Sequence, residues 1–154
     1  MAISPNTDFV SGAILTAAQQ NLFPRGVVGA VLNTTGLAGV TGGPVDLAGM
    51  TVTFNQVINR IYRATWTVNG SKAASGADNT RVLFTNAANT QLGGINLTSS
   101  GTNDLNLSAS VIFTASASGS VTYKLRAASF SGTFTPNASV AYPCVFVIED
   151  IGAA

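Results

Sequence analysis

The sequence predicts an all-β protein: an antiparallel β-sandwich of eight or nine strands, jelly-roll-like, preceded by a short N-terminal helical extension. Three observations lead there. From Val27 onward, apolar and polar residues alternate with a period of two, the pattern of strands with one buried face. Clusters of Gly, Asn and Ser, such as TTGLAGVTGGP, NGSKAASGADN and TSSGTND, separate the alternating runs at the spacing that sandwiches and barrels require. Strands do not alternate with helices, which excludes a parallel α/β sheet.

The helical stretch is LTAAQQNLFPRGVVG, residues 15–29, which has room for about three turns before Pro24 ends it. Thr16 is placed to cap its N-terminus, and Gln19 completes a Thr-x-x-Gln capping box. Isolated helices shorter than about 12 residues are marginal in water, so Leu15, Leu22 and Phe23 need a surface to pack on. Residues 1–26 therefore read as an anchoring extension and 27–154 as the sandwich domain. In FPRG, Pro24 and Gly26 form an elbow between the two, with Arg25 beside it.

The strands follow in order. VVGAVLN is the first, and GLAGVTGG after it reads as a flexible loop. MTVTFNQ sends Met50, Val52 and Phe54 to one side, and RIYRATWTVNG does the same with Tyr62, Ala64, Trp66 and Val68. TRVLFTN and a weaker QLGGINLT come next. DLNLSASVIFTA aligns Leu105, Leu107, Ala109, Val111 and Phe113; SVTYKLRAA aligns Val121, Tyr123, Leu125 and Ala127. SFSGTFT sets Phe130, Gly132 and Phe134 on one side, and VAYPCVFVIED places Tyr142, Cys144, Phe146 and Ile148 together.

Composition narrows the function. Charged residues make up 8% of the chain, against roughly 25% in ordinary globular proteins, and the net charge is +1. A surface of Thr, Ser, Asn and Gly suits a chain that packs into an assembly. It lacks the basic footprint that nucleic acid or an anionic membrane would require. The first 20 residues contain neither a signal peptide nor a membrane span, so the product is expected to be made in, and stay in, the cytoplasm of its cell until lysis. With one cysteine, no intrachain disulfide forms.

Candidate chemistry is thin. The chain contains no histidine, which removes the usual general base, the usual zinc ligand and every Ser-His or Cys-His pair. No catalytic, metal or cofactor-binding residue is expected. Glu149 and Asp150, adjacent near the end of the chain, point to opposite faces and read as a solvated strand end. Cys144 reads as a buried, inert thiol, and Tyr62 and Trp66 as core. Arg60 and Arg63 face opposite sides of one strand. The inward one needs a carboxylate, from this chain or a neighbouring subunit.

Four segments taken together, ILTAAQQNLFPRGVVG, VTFNQVINRIYRATWTV, GSVTYKLRAAS and VFVIEDIG, resemble a family of small β-sandwich minor tail or structural proteins of actinobacterial tailed phages. The resemblance runs through nearly the whole chain in order. It implies a non-enzymatic virion component, a homotrimeric jelly roll that meets other phage structural proteins of capsid or tail through its N-terminal segment. Leu15, Leu22, Phe23, Pro24 and Arg25 are then the candidate anchor residues. Relatives on tail fibres usually attach such a knob to a long shaft or a larger tail protein, and a chain starting at its own methionine with a short leader leaves room for capsid decoration. The alternative is a carbohydrate-binding module or adhesin for a host-surface glycan, since jelly rolls commonly serve as lectins. That reading requires an exposed aromatic beside Asn or Asp in a loop, whereas the alternation puts every Trp and Tyr in a strand.

Overall fold

The nine alternating runs of the sequence form eight strands in the computed structural model, which describes residues 17–21, 23–73, 77–100 and 103–153. They are β1 (Gly26–Asn33), β2 (Val40–Gln56), β3 (Arg60–Ala73), β4 (Ala77–Asn86), β5 (Gln91–Ser100), β6 (Asn103–Thr114), β7 (Gly119–Pro136) and β8 (Cys144–Ala153). SVTYKLRAA and SFSGTFT belong to one long strand, β7.

All pairings are antiparallel. One layer has the order β1-β8-β3-β6 and the other β2-β7-β4-β5. The layers join at a corner where Gly70–Ala73 of β3 pairs with Thr133–Pro136 of β7. The corner requires Gly70: a Cβ there would lie 2.6 Å from the Thr135 carbonyl oxygen and 2.5 Å from the Phe134 ring. Such close backbone approach is one of the uses of glycine in strands.

Between the layers lies an aromatic core. Phe84 of β4 has ring centroids at 6.0 Å from Trp66, 5.3 Å from Tyr123, 5.5 Å from Phe113 and 5.9 Å from Phe146, so it contacts both layers. Met50, Val52, Tyr62, Ala64, Val68, Leu107, Leu125, Ala127 and Ile148 surround it, as their alternation predicts. Two of the buried polar groups on the aromatics find partners: Tyr123 Oη donates to Gln56 Oε1 at 2.9 Å, and Tyr62 Oη accepts the Val57 amide at 3.0 Å, whereas the buried Trp66 Nε1 has no hydrogen-bond partner among the described residues.

The structure departs from the alternation in several places. Phe134 is buried but Phe130 is exposed, because β7 shifts register against β2 between Ser129 and Phe134, where Gly132 takes φ 87°. An extra residue in a strand reverses the faces of everything beyond it. All of VTGG, expected within a loop, forms the start of β2, with bulges on either side of Gly42. Tyr142 stands outside β8, since Pro143 cannot donate to the ladder and β8 starts at Cys144. The helix is a single turn, Ala17–Gln20, rather than about three. Thr16, its expected cap, lies outside the described residues.

Two buried acids give the fold its response to alkaline pH. Burial raises the Cys144 thiol above its ordinary 9.0, against the opposing effect of its bond to the Asn69 carbonyl. Burial also raises the Tyr123 phenol above 10.0, with a smaller contribution from Tyr62. A folded pKa above the unfolded one gives stability that is complete below the unfolded value and is lost as pH rises through the folded value. With no histidine, no side chain with an ordinary pKa titrates between about pH 6 and 8. The melting temperature is therefore expected to be level across neutral pH and to fall above about pH 9. A titration step near pH 6.5 in a series of thermal melts would contradict this.

Candidate functional site

Besides the surface cluster in which Asp46 of β2 accepts from Lys124 and Arg126 of β7, two regions of the sandwich carry organised polar chemistry. The first begins with parity. Tyr62, Ala64, Trp66 and Val68 face inward along β3, so Arg60 does too, and it is 3% exposed. Asn59, in the left-handed region at φ 62°, makes the turn that delivers it.

The Arg60 partner is Asp150 of the same chain, 1% exposed. Its carboxylate accepts Arg60 Nε at 2.5 Å and Nη2 at 2.7 Å, and also the Gly152 amide at 3.0 Å. The solvated strand end expected at Glu149 and Asp150 is thus half wrong. Glu149 faces outward and pairs with Arg63 at 2.7 Å, while Asp150 is buried because the opposite face of β8 is the core face.

The same guanidinium holds the N-terminal segment. Arg60 Nη2 donates to the Phe23 carbonyl at 2.6 Å and Nη1 to the Asn21 carbonyl. These are carbonyls just past a helical turn, where backbone acceptors lack intrahelical partners and a cation is favoured. Of the expected anchor residues, Phe23, Pro24 and Arg25 form exposed chain leading into β1. Leu15 and Leu22 lie outside the described residues. Sequence reading finds the inward arginine but not its partner, which is 90 residues away in the chain.

The second region lies at the corner end of the sandwich, between the β7–β8 loop and the adjoining ends of β3 and β6. A cleft of about 390 Å³ is lined by Asn69, Gly70, Asp104, Leu105, Asn106, Asn137 and Tyr142. Tyr142, expected inside a strand, is 71% exposed in the loop. Its backbone is fixed by a reciprocal pair: Tyr142 N donates to Ser139 Oγ at 3.1 Å, and Ser139 N to the Tyr142 carbonyl at 3.2 Å.

Cross-strand register assembles the cleft wall. Asn69 stands opposite Asn106, and Asn106 Nδ2 donates to Asn69 Oδ1 at 2.6 Å. Asn106 Oδ1 accepts Ser108 Oγ at 2.7 Å, and Asn69 Nδ2 donates to the Pro143 carbonyl at 3.2 Å. Asn137 Nδ2 donates to Ser71 Oγ at 2.8 Å. Among the described residues, no group of three His, Cys, Asp or Glu is placed to hold a metal. No helix among them is long and apolar enough to cross a membrane.

This is a jelly-roll β-sandwich protein. The sequence matches no family model and no curated protein. Among solved structures the chain is similar to the Eiger TNF from S. frugiperda, at 13% identity and a TM-score of 0.55, over 84% of this chain and 96% of that one. At that identity the likeness carries the fold alone.

Proposed function

We propose that the chain is a non-enzymatic structural protein of a tailed-phage virion, a homotrimer docked on capsid or tail through residues 1–26. The observation that carries the docking is the Arg60–Asp150 clamp, which holds the main chain at Asn21 and Phe23 against the sandwich. The family resemblance of the four quoted segments supplies the phage context, and the absence of histidine supports a role without acid–base catalysis.

Self-association is supported by the outer face of the β1-β8-β3-β6 layer. Leu32, Val145, Val147 and Ile112 lie among Thr65, Thr67, Ser108 and Ser110, and the charges on this face include the balanced Arg63–Glu149 pair. A wide face with little net charge packs against a neighbouring subunit without repulsion.

The test is the double variant Leu22→Ser, Phe23→Ser. Each apolar side chain buried against a docking surface contributes roughly 1.5–3 kcal/mol, so the variant should be depleted from purified virions by orders of magnitude. Its melting temperature should hold, because Arg60 binds main-chain carbonyls that the substitutions leave in place. Unchanged incorporation would remove the docking role.

A further inference from the structure

We propose that the cleft beside Tyr142 is a binding site for a neutral saccharide. The proposal stands on the cleft itself and does not depend on the virion reading. Three properties of the cleft lead to it.

The first is an aromatic ring held out in water. Tyr142 sits in a loop whose own hydrogen bonds fix its backbone, so its exposure is built into the turn. An exposed, positioned ring offers a flat apolar face with a polar tip, suited to the carbon-bound hydrogens on one face of a pyranose.

The second is the polar wall. Hydroxyl groups on adjacent ring carbons each donate and accept, and planar amides and carboxylates match that pattern. Asn69, Asn106 and Asn137 present such amides, each oriented by the bonds described above and each with hydrogen-bonding capacity left over. The Asp104 carboxylate makes no hydrogen bond to the described residues and is exposed at the rim. A few convergent polar groups beside an apolar surface are the usual make-up of a small-ligand site, and about 390 Å³ accommodates one or two sugar rings.

The third property is the sign of the charge. Among the described lining residues there is Asp104 but no Lys or Arg, so a phosphate, a sulfate or an acidic sugar meets no cation from them. An apolar peptide is also a poor match, since Leu105 and Tyr142 are the large apolar side chains in a wall otherwise made of amides, a carboxylate and a glycine. A neutral polyhydroxylated ligand remains.

The experiment probes an array of immobilised neutral oligosaccharides, built from hexoses, N-acetylhexosamines and pentoses, with the labelled full chain. Wild type is expected to bind at least one class. Tyr142→Ala and Asp104→Ala should each weaken that binding by at least about tenfold at unchanged melting temperature. Tyr142→Phe should retain most of it, because the ring is kept. Val140→Ser, on an exposed neighbour that does not line the cleft, should leave it unaltered. Absence of binding to every oligosaccharide, or binding indifferent to Tyr142→Ala, overturns the proposal. So does a Tyr142→Ala variant that binds sugars normally but is lost from virions, which would make the loop a protein-docking surface.

Discussion

Replacing Asp150 with alanine should destabilise the protein by about 3–5 kcal/mol, the range found when one partner of a buried ion pair is removed. The cost arises from what remains. Arg60 is almost fully buried, and of its four side-chain hydrogen bonds two go to Asp150 and two to main-chain carbonyls that carry no charge. Without the carboxylate, a guanidinium sits in low dielectric with partial dipoles for company, and the Gly152 amide loses its acceptor as well. Against a typical total of 5–15 kcal/mol this is a large fraction. Urea unfolding followed by Trp66 fluorescence should show a lower midpoint at unchanged slope.

The double variant Arg60→Met, Asp150→Leu separates stability from anchoring. Replacing a buried ion pair with apolar residues of similar size is often neutral or stabilising, so the sandwich should keep its urea midpoint. The carbonyls of Asn21 and Phe23, however, lose the donor that holds them. Trypsin should then cut after Arg25 several-fold faster than in wild type, since cleavage tracks local opening. Equal cleavage rates would mean that the N-terminal segment is held by other contacts.

Most of the core was legible because a strand has a strict period of two and the polar face of this chain is rich in Thr, Ser and Asn. Met50, Val52 and Phe54, and likewise Tyr62, Ala64, Trp66 and Val68, are buried where alternation puts them. Alternation carries no information about bulges, and Phe130 was lost for that reason: a register shift beyond Ser129 separates it from Phe134. Tyr142 failed differently. It shares parity with Cys144 and Phe146, but the intervening Pro143 lacks an amide donor, a signal that the strand starts later. Taking Pro143 as the boundary would have put Tyr142 in a loop near Asn137.

The two polar regions were legible in unequal measure. The inward parity of Arg60 demands a carboxylate, yet a charged residue near the end of a chain reads as solvated, so the sequence does not single out Asp150. The acid is buried because β8 lies between β1 and β3, and a central strand has a core face throughout its length. The Tyr142 cleft depends on cross-strand pairing of Asn69 with Asn106 and on the sandwich corner, neither of which a single sequence displays.

Phe84→Ala should cost about 3–5 kcal/mol, as large-to-small changes of a buried aromatic do. Position matters more here than residue type. Phe84 is fully buried, lies opposite Leu125 on β7, and reaches Trp66, Phe113 and Phe146 in the facing layer. Removing the ring leaves a cavity walled by other large rings; the backbones of Trp66, Tyr123 and Phe146 are held by ladders on both sides and have little freedom to close it. Phe84→Leu restores part of the volume and should recover a substantial part of the loss, whereas Phe130→Ala, at an exposed ring of similar size, should change stability far less. Because any self-association adds a concentration-dependent term, the three variants are to be compared by urea midpoint at one fixed protein concentration. If Phe84→Ala and Phe130→Ala cost the same, the aromatic cluster between the layers is not what holds the sandwich together.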